Sequence, residues 1–225
     1  MDTTVDAGQD GSKQHKSRRR MARWLEWPAL LVLALLLALF VKTFLLQAFV
    51  IPSDSMNDTI VRGDRVLVDK LSPWFGWTPH RGDVVVFRDP GDWLADEPVP
   101  DPSSLERGLA VVGLVPDPGE RDLIKRVIAV GGDTVDCRAG QPVRVNGHAL
   151  HEPYLYPGAT PCDDDPVGTL TVPQGSIWVM GDHRNDSQDS RFHQRAHPGD
   201  GFVPVSDVIG RALVVAWPVP GWKGL

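Results

Sequence analysis

The sequence predicts a mainly β protein, in which one N-terminal transmembrane helix is followed by an antiparallel β-sheet domain carrying a small insertion that contains a β-hairpin. Three observations lead there. Residues 27–51 hold a single charge, Lys42, in 25 positions, and about 20 apolar residues suffice to cross a ~30 Å hydrocarbon core as a helix. Beyond them the apolar period changes from helical to alternating, in short runs rich in valine and isoleucine bounded by Gly, Pro and Asp. Between two of these runs stands Asn146-Gly147, a pair that favours the two-residue type I′ hairpin turn.

Residues 1–26 form a basic tail, with Lys13, Lys16, Arg18, Arg19, Arg20 and Arg23 against Asp2, Asp6, Asp10 and Glu26. The tail is polar and aperiodic, so disorder is expected, and its positive excess places that end in the cytoplasm. Residues 27–48 are read as the anchor. Trp24 and Trp27 suit one interface, and Lys42 can snorkel toward the other. A cleaved secretory signal also joins a basic stretch to an apolar one, but Thr-Phe-Leu-Leu-Gln-Ala-Phe-Val-Ile after Lys42 puts bulky side chains where a small-residue cleavage site belongs. The expectation is therefore a single-pass plasma-membrane protein whose remainder is extracytoplasmic. Fully extended, the eight residues from Gln47 to Ser55 reach only about 26–29 Å, which keeps Ser55 near the bilayer.

The β-rich domain is read as 49–136 and 173–225. Expected strands are Arg65 to Asp69, Asp83 to Phe87, Leu123 to Val130, Gln141 to Val145 paired with His148 to Leu150, Ile177 to Met180, and Ile209 to Trp217. Residues 89–120, rich in Pro, Gly and acidic side chains, read as a surface insertion, and 137–172 as a small inserted subdomain. Cys137 and Cys162 are the only two cysteines. In an oxidising compartment they are disulfide candidates across a loop of roughly 25 residues, a bond worth about 3–4 kcal/mol in the chain-entropy model. Two free, partly buried thiols are the alternative.

After Lys42 the chain holds 16 basic residues against 25 acidic ones, a balance that argues against nucleic acid as a partner. Two cysteines so far apart make no zinc site without histidines at metal spacing, and Asp163, Asp164 and Asp165 read as a solvated loop rather than a calcium site. No metal and no cofactor are expected.

A serine is inert as a nucleophile until a base takes its proton. In Leu123-Ile-Lys-Arg-Val-Ile, strand alternation puts Leu123, Lys125 and Val127 on one face and Ile124, Arg126 and Ile128 on the other. Alone, that lysine reads as an edge charge reaching water. The polar stretch from Met180 to Arg191, Met-Gly-Asp-His-Arg-Asn-Asp-Ser-Gln-Asp-Ser-Arg, can supply an ion pair and hydroxyls that hold another side chain in place. A Ser/His/Asp hydrolase drawn from Ser190, His193 and Asp189 is a rival, weakened because adjacent Asp189 and Ser190 alternate faces if extended. A second rival is an inactive or non-catalytic membrane-anchored β-rich binding module.

Six motifs fall in one order: Pro52-Ser53-Asp54-Ser55-Met56; Gly63 to Lys70; Arg81 to Phe87; Lys125-Arg126-Val127-Ile128 with Gly132-Asp133-Thr134-Val135; Gly181-Asp182 through Asp189-Ser190-Arg191; and Gly210-Arg211-Ala212. In this the chain resembles the bacterial type I signal peptidases, from Val41 to Trp217. The resemblance implies a β-rich serine protease with Ser55 as nucleophile and Lys125 as general base. Ser53 and the Ser55 N–H would form the oxyanion hole, Ser187 would hydrogen-bond the lysine, and Asp189, Ser190 and Arg191 would support the site. Phe49, Val50, Ile51, Pro52 and Met56, which flank the nucleophile, are expected to touch substrate. The implied partners are secreted preproteins, cut after small residues of A-x-A type, and membrane lipid, with the enzyme a monomer. Asp58-Thr59 stands where the family usually has Pro-Thr, His183 replaces the usual Asn, and residues 194–200 interrupt the usual run after Arg191. A lysine with its ordinary pKa of about 10.4 is neutral in only about one molecule in 2,500 at pH 7, so burial must favour the amine form.

Overall fold

Valine-rich strands separated by sharp turns build two antiparallel sheets. The computed structural model describes residues 26–37, 46–91, 93–95, 122–218 and 221–225. The chain divides into two units, Met1–Thr43 and Phe44–Leu225. In the first, residues 26–37 form helix α1, on which Trp27, Leu30, Leu33 and Leu37 are all exposed. No helix among the described residues is long and apolar enough to cross a membrane. The expected tail up to residue 25 and residues 38–45 of the expected span lie outside the described residues.

The second unit begins with strand β1, Leu46–Val50. Leu46, Gln47 and Ala48, which the sequence reading gave to the span, therefore belong to a sheet. The cause is a complete antiparallel ladder with β2, Arg65–Asp69, in which Phe49 lies opposite Val66 and both are buried. The remaining strands are β3 (Val84–Arg88), β4 (Asp122–Val130), β5 (Thr134–Cys137), β6 (Arg144–Val145), β7 (His148–Ala149), β8 (Gly168–Thr171), β9 (Ser176–Met180), β10 (Val203–Pro204), β11 (Val208–Trp217) and β12 (Lys223–Gly224). One sheet runs β1-β2-β11-β3-β4-β9-β10, with β12 added on β11, and the other runs β7-β6-β5-β8. Helix α2, Ser190–Ala196, follows β9 and a short polar loop.

Strands β3 and β4 are central and buried on both faces, so their apolar runs are continuous. Val84, Val86 and Ile124 join a core with Phe49, Ile51, Met56, Ile60, Val66 and Val68. Val85, Phe87, Leu123 and Val127 face the other way, with Ile177 and Val179. Lys125 lies opposite Val85 across the β3–β4 ladder, so it is a central-strand lysine and not an edge charge. The start of the expected surface insertion is anchored: Trp93 is buried, meets Phe87 edge-on at 5.9 Å and donates its indole N–H to the Asp200 carbonyl. Residues 96–121 are outside the described residues.

The small sheet carries the expected hairpin. Asn146 and Gly147 both have positive φ, 53° and 81°, and join Val145 to His148. Its core holds Val135, Val143, Val145 and the Cys137–Cys162 disulfide, packed on Trp178 and Met180 of the large sheet.

Candidate active site

After β1 the chain is held extended by bonds between Ile51 and its neighbours, the Ile51 N–H donating to Asp64 and the Ile51 carbonyl accepting from Gly63. It then turns tightly over 54–60, where the Thr59 and Ile60 N–H groups donate to the Met56 carbonyl. Met56 and Ile60, both fully buried, pin this turn to the core and leave Ser55 at its head. The Lys125 side chain reaches it from the middle of β4, Nζ donating to Ser55 Oγ at 2.5 Å. Both residues are 5% exposed. Ser53 Oγ lies 3.2 Å from Ser55 Oγ.

The loop after β9 closes over the back of Ser55. The His183 N–H donates to the Ser55 carbonyl at 3.0 Å. Gly181 sits so close that a Cβ there would meet the Ser55 carbonyl oxygen at 2.5 Å and also the Ser187 hydroxyl. Ser187 thus lies at the site, but its Oγ makes no hydrogen bond, so the expected Ser187–lysine bond is not formed.

Buried ion pairs brace the loop, Arg184 with Glu152 among them. Asp189 accepts from the Gly181 N–H and from the Arg191 backbone and guanidinium, while Arg191 also donates to the carbonyls of Arg184 and Pro161. Burial alone would raise the Asp189 carboxyl, but the Arg191 charge and these hydrogen bonds hold it below its ordinary range. A further pair, Arg126 with Asp182, is bidentate at 2.8 and 2.6 Å. Asp182 also accepts from Thr59 of the turn that carries Ser55, and Arg126 lies 4.0 Å over the Tyr154 ring. Burial, and then the charge of Glu152, push the Tyr154 phenol upward, so it stays neutral. Arg126, Asp182 and Tyr154 were not singled out by sequence reasoning. The adjacency of Arg126 to Lys125 and of Asp182 to Gly181 within the motifs was the available signal.

A cleft of about 460 Å³ opens over the pair, lined by Pro52, Ser53 and Ser55 on one side, by Leu123 and Lys125 below, and by Ser187 among the loop residues. Of the residues expected to touch substrate, Pro52 lines this cleft and Val50 is exposed on β1. Phe49, Ile51 and Met56 do not line it. Their side chains fill the core beneath the sheet, because strand alternation turns Phe49 and Ile51 inward together and the turn buries Met56.

The Ser190, His193, Asp189 triad does not assemble. Ser190 is fully buried, with its Oγ accepting the Val179 N–H, and Asp189 is committed to Arg191 and Gly181. His193 stacks on Trp93 at 4.2 Å, and burial lowers its pKa. The acidic triplet is spent on structure: Asp163 accepts from the Gly140 N–H, Asp164 from Asn185, and Asp165 pairs with Arg195.

Residues 24–217 match the family model described as "Signal peptidase, peptidase S26". A probable signal peptidase I of Mycobacterium leprae is 41% identical over 92% of this chain and 81% of its own length. A signal peptidase I of Mycobacterium tuberculosis is 42% identical over 88% of this chain and 74% of its own. A crystal structure of a signal peptidase I from Enterococcus faecalis, 26% identical, covers 60% of this chain and 97% of its own with a TM-score of 0.38, too low to bear on the fold. With a family model spanning 24–217 and relatives above 40% identity, the chain belongs to the signal peptidase, peptidase S26 family.

Proposed function

We propose that this chain removes N-terminal signal peptides from secreted preproteins as a serine peptidase in which Ser55 is the nucleophile and Lys125 the general base. The observation that supports it is the 2.5 Å contact between Lys125 Nζ and Ser55 Oγ, with both residues almost wholly withdrawn from water. In the neutral amine form, the same contact runs the other way: Oγ donates its proton to Nζ as it attacks the scissile carbonyl. Burial of Lys125 in the middle of β4 favours the neutral form. The lysinium then returns the proton to the departing amine, and a water activated by the amine hydrolyses the acyl-enzyme.

Ser53 and the Ser55 N–H are the oxyanion donors in this reading, since Ser53 stands two residues before the nucleophile with its hydroxyl beside Oγ. Each such donor is worth about 3–4 kcal/mol of transition-state stabilisation. Residues 27–45 are the single membrane anchor, with the N-terminus cytoplasmic and the sheets outside. The exposed leucines of α1 support this, as a helix apolar all round needs lipid or protein cover. Lipid and preprotein are the partners, the cut follows small residues, and the enzyme works as a monomer.

The experiment is preprotein cleavage by Ser55→Ala, Lys125→Ala and the double variant. Each single change abolishes processing, and the double is no worse, because the two act as a unit. Near-normal cleavage by Lys125→Ala would refute the dyad.

A further inference from the structure

The imidazole of His183 stands where the family usually has Asn, and nothing in the dyad uses it. Its ring is stacked on Tyr156, with centroids 4.1 Å apart and planes 29° from parallel. Its backbone N–H is the group that holds the Ser55 carbonyl. One residue earlier, the Asp182 carbonyl accepts the Tyr156 N–H at 3.1 Å. Tyr156 belongs to the small subdomain, in a strap tied at both ends. On one side Glu152 pairs with Arg184. On the other, the Pro161 carbonyl accepts from Arg191, and Cys162 is bridged to Cys137. Between them the Thr160 N–H donates to Asn185.

We propose that the His183 ring, clamped by Tyr156, is a positioning residue that fixes the Ser55 backbone and so aligns Oγ with Lys125, a role that rests on the dyad reading above. The ring supplies its flat face and not a hydrogen bond. Nδ1 is buried without a partner, and the nearest carboxylate oxygen, on Asp186, is 3.9 Å away. Neither ring lines the cleft, so the clamp acts through the backbone of residue 183 and leaves substrate binding alone. Because Oγ and Nζ already stand at hydrogen-bonding distance, a small drift of the Ser55 carbonyl misaligns the proton transfer.

The test is steady-state cleavage of a preprotein by the full chain in detergent, with thermal melting measured alongside. His183→Ala and Tyr156→Ala each lower kcat about tenfold with KM within about twofold, the scale of one aromatic stack. His183→Phe restores kcat to near wild type, and the double alanine variant is no slower than the slower single. The proposal is overturned if His183→Phe is as slow as His183→Ala, if the two losses multiply, or if the loss lies in KM alone. Should His183→Ala fail to fold, Tyr156→Ala decides, since Tyr156 is 38% exposed and its truncation opens no closed cavity; full kcat there refutes the clamp. Lys125→Ala in the same assay separates the two readings: an active Lys125→Ala sinks the dyad, whereas a dead Lys125→Ala beside a fully active His183→Ala sinks only the clamp.

Discussion

The two sheets hold their residues in place by different physics. In the large sheet, β3 and β4 bury seven consecutive residues from Leu123 to Ala129 and four from Val84 to Phe87, so Lys125 is placed by apolar packing on both sides. Burial of this kind, worth about 1.5–3 kcal/mol per large side chain, needs no further tie. The small sheet has strands of two to four residues, and both residues of β7 are exposed. It compensates with a disulfide in its core and with ionic and aromatic contacts to the loop behind Ser55. In the proposed dyad the large sheet therefore supplies Lys125, and the small one steadies the loop behind Ser55. Damage to the first is expected to be total and damage to the second graded.

The sharpest test lies where the two meet. Asp189→Asn leaves the fully buried Arg191 guanidinium without its counter-charge, at a cost of about 3–5 kcal/mol. The folded-state carboxyl is held below its ordinary value, so its stabilisation is present above a pH of about 4 and is lost as pH falls through the folded pKa. Urea unfolding across pH should accordingly show wild type and variant far apart at pH 7 and converging in acid. Equal midpoints at pH 7 would mean that the buried pair does not join the two regions. Next comes the disulfide. Replacing Cys137 and Cys162 by serine removes about 3–4 kcal/mol for a 25-residue separation. Cleavage should slow only about tenfold, as when the Tyr156 stack is lost. Complete inactivity of a folded, disulfide-free variant would show that the small sheet does more than steady the loop.

Much of this division is legible in the sequence. The valine and isoleucine alternation around Val66, Val85 and Val127 reports strands whichever neighbours they find, and Asn146-Gly147 announces its turn locally. Ser55, Lys125 and the Asp189–Arg191 pair stand in motifs that carry their own resemblance. What was missed depends on pairing across distance. β5 and β8 are short and half polar, and only the ladder between Val135 and Leu170 makes them strands. β1 was read as the end of a helix because its apolar residues continue the preceding run, and period alone does not separate a buried strand from a helix end. The inward turn of Phe49, Ile51 and Met56 needed the register of β1 on β2. The helix Ser190–Ala196 goes unread because seven residues give too short a window for helical period; its start is set by the Asp189 side chain, which accepts from the Arg191 N–H.

A smaller effect than either comes from Gly181→Ala in the loop beside the large sheet. A Cβ at that position meets the Ser55 carbonyl oxygen at 2.5 Å, so the turn that carries Ser55 must move. A displacement near 1 Å costs about 100-fold in rate, equivalent to about 2.7 kcal/mol. The loss should appear in kcat, together with the fall in melting temperature that overpacking by about 1–3 kcal/mol brings. An alanine variant with wild-type kcat would mean that the loop does not set the position of Ser55.

The same substitution in the small sheet is expected to leave kcat alone. Gly147 has φ +81° and no neighbour within 4 Å of a built Cβ, so Gly147→Ala collides with nothing and pays only for placing an L side chain in the left-handed region, about 1–2 kcal/mol. For a chain of this size the melting temperature falls about 2–4 °C per kcal/mol. The hairpin loosens where both β7 residues already face solvent, and no element of it lines the cleft, so kcat and KM should stay at wild-type values. A fall in kcat at Gly147→Ala would erase the contrast between the sheets, because strain in the hairpin would then be transmitted to Ser55 as directly as the collision at Gly181.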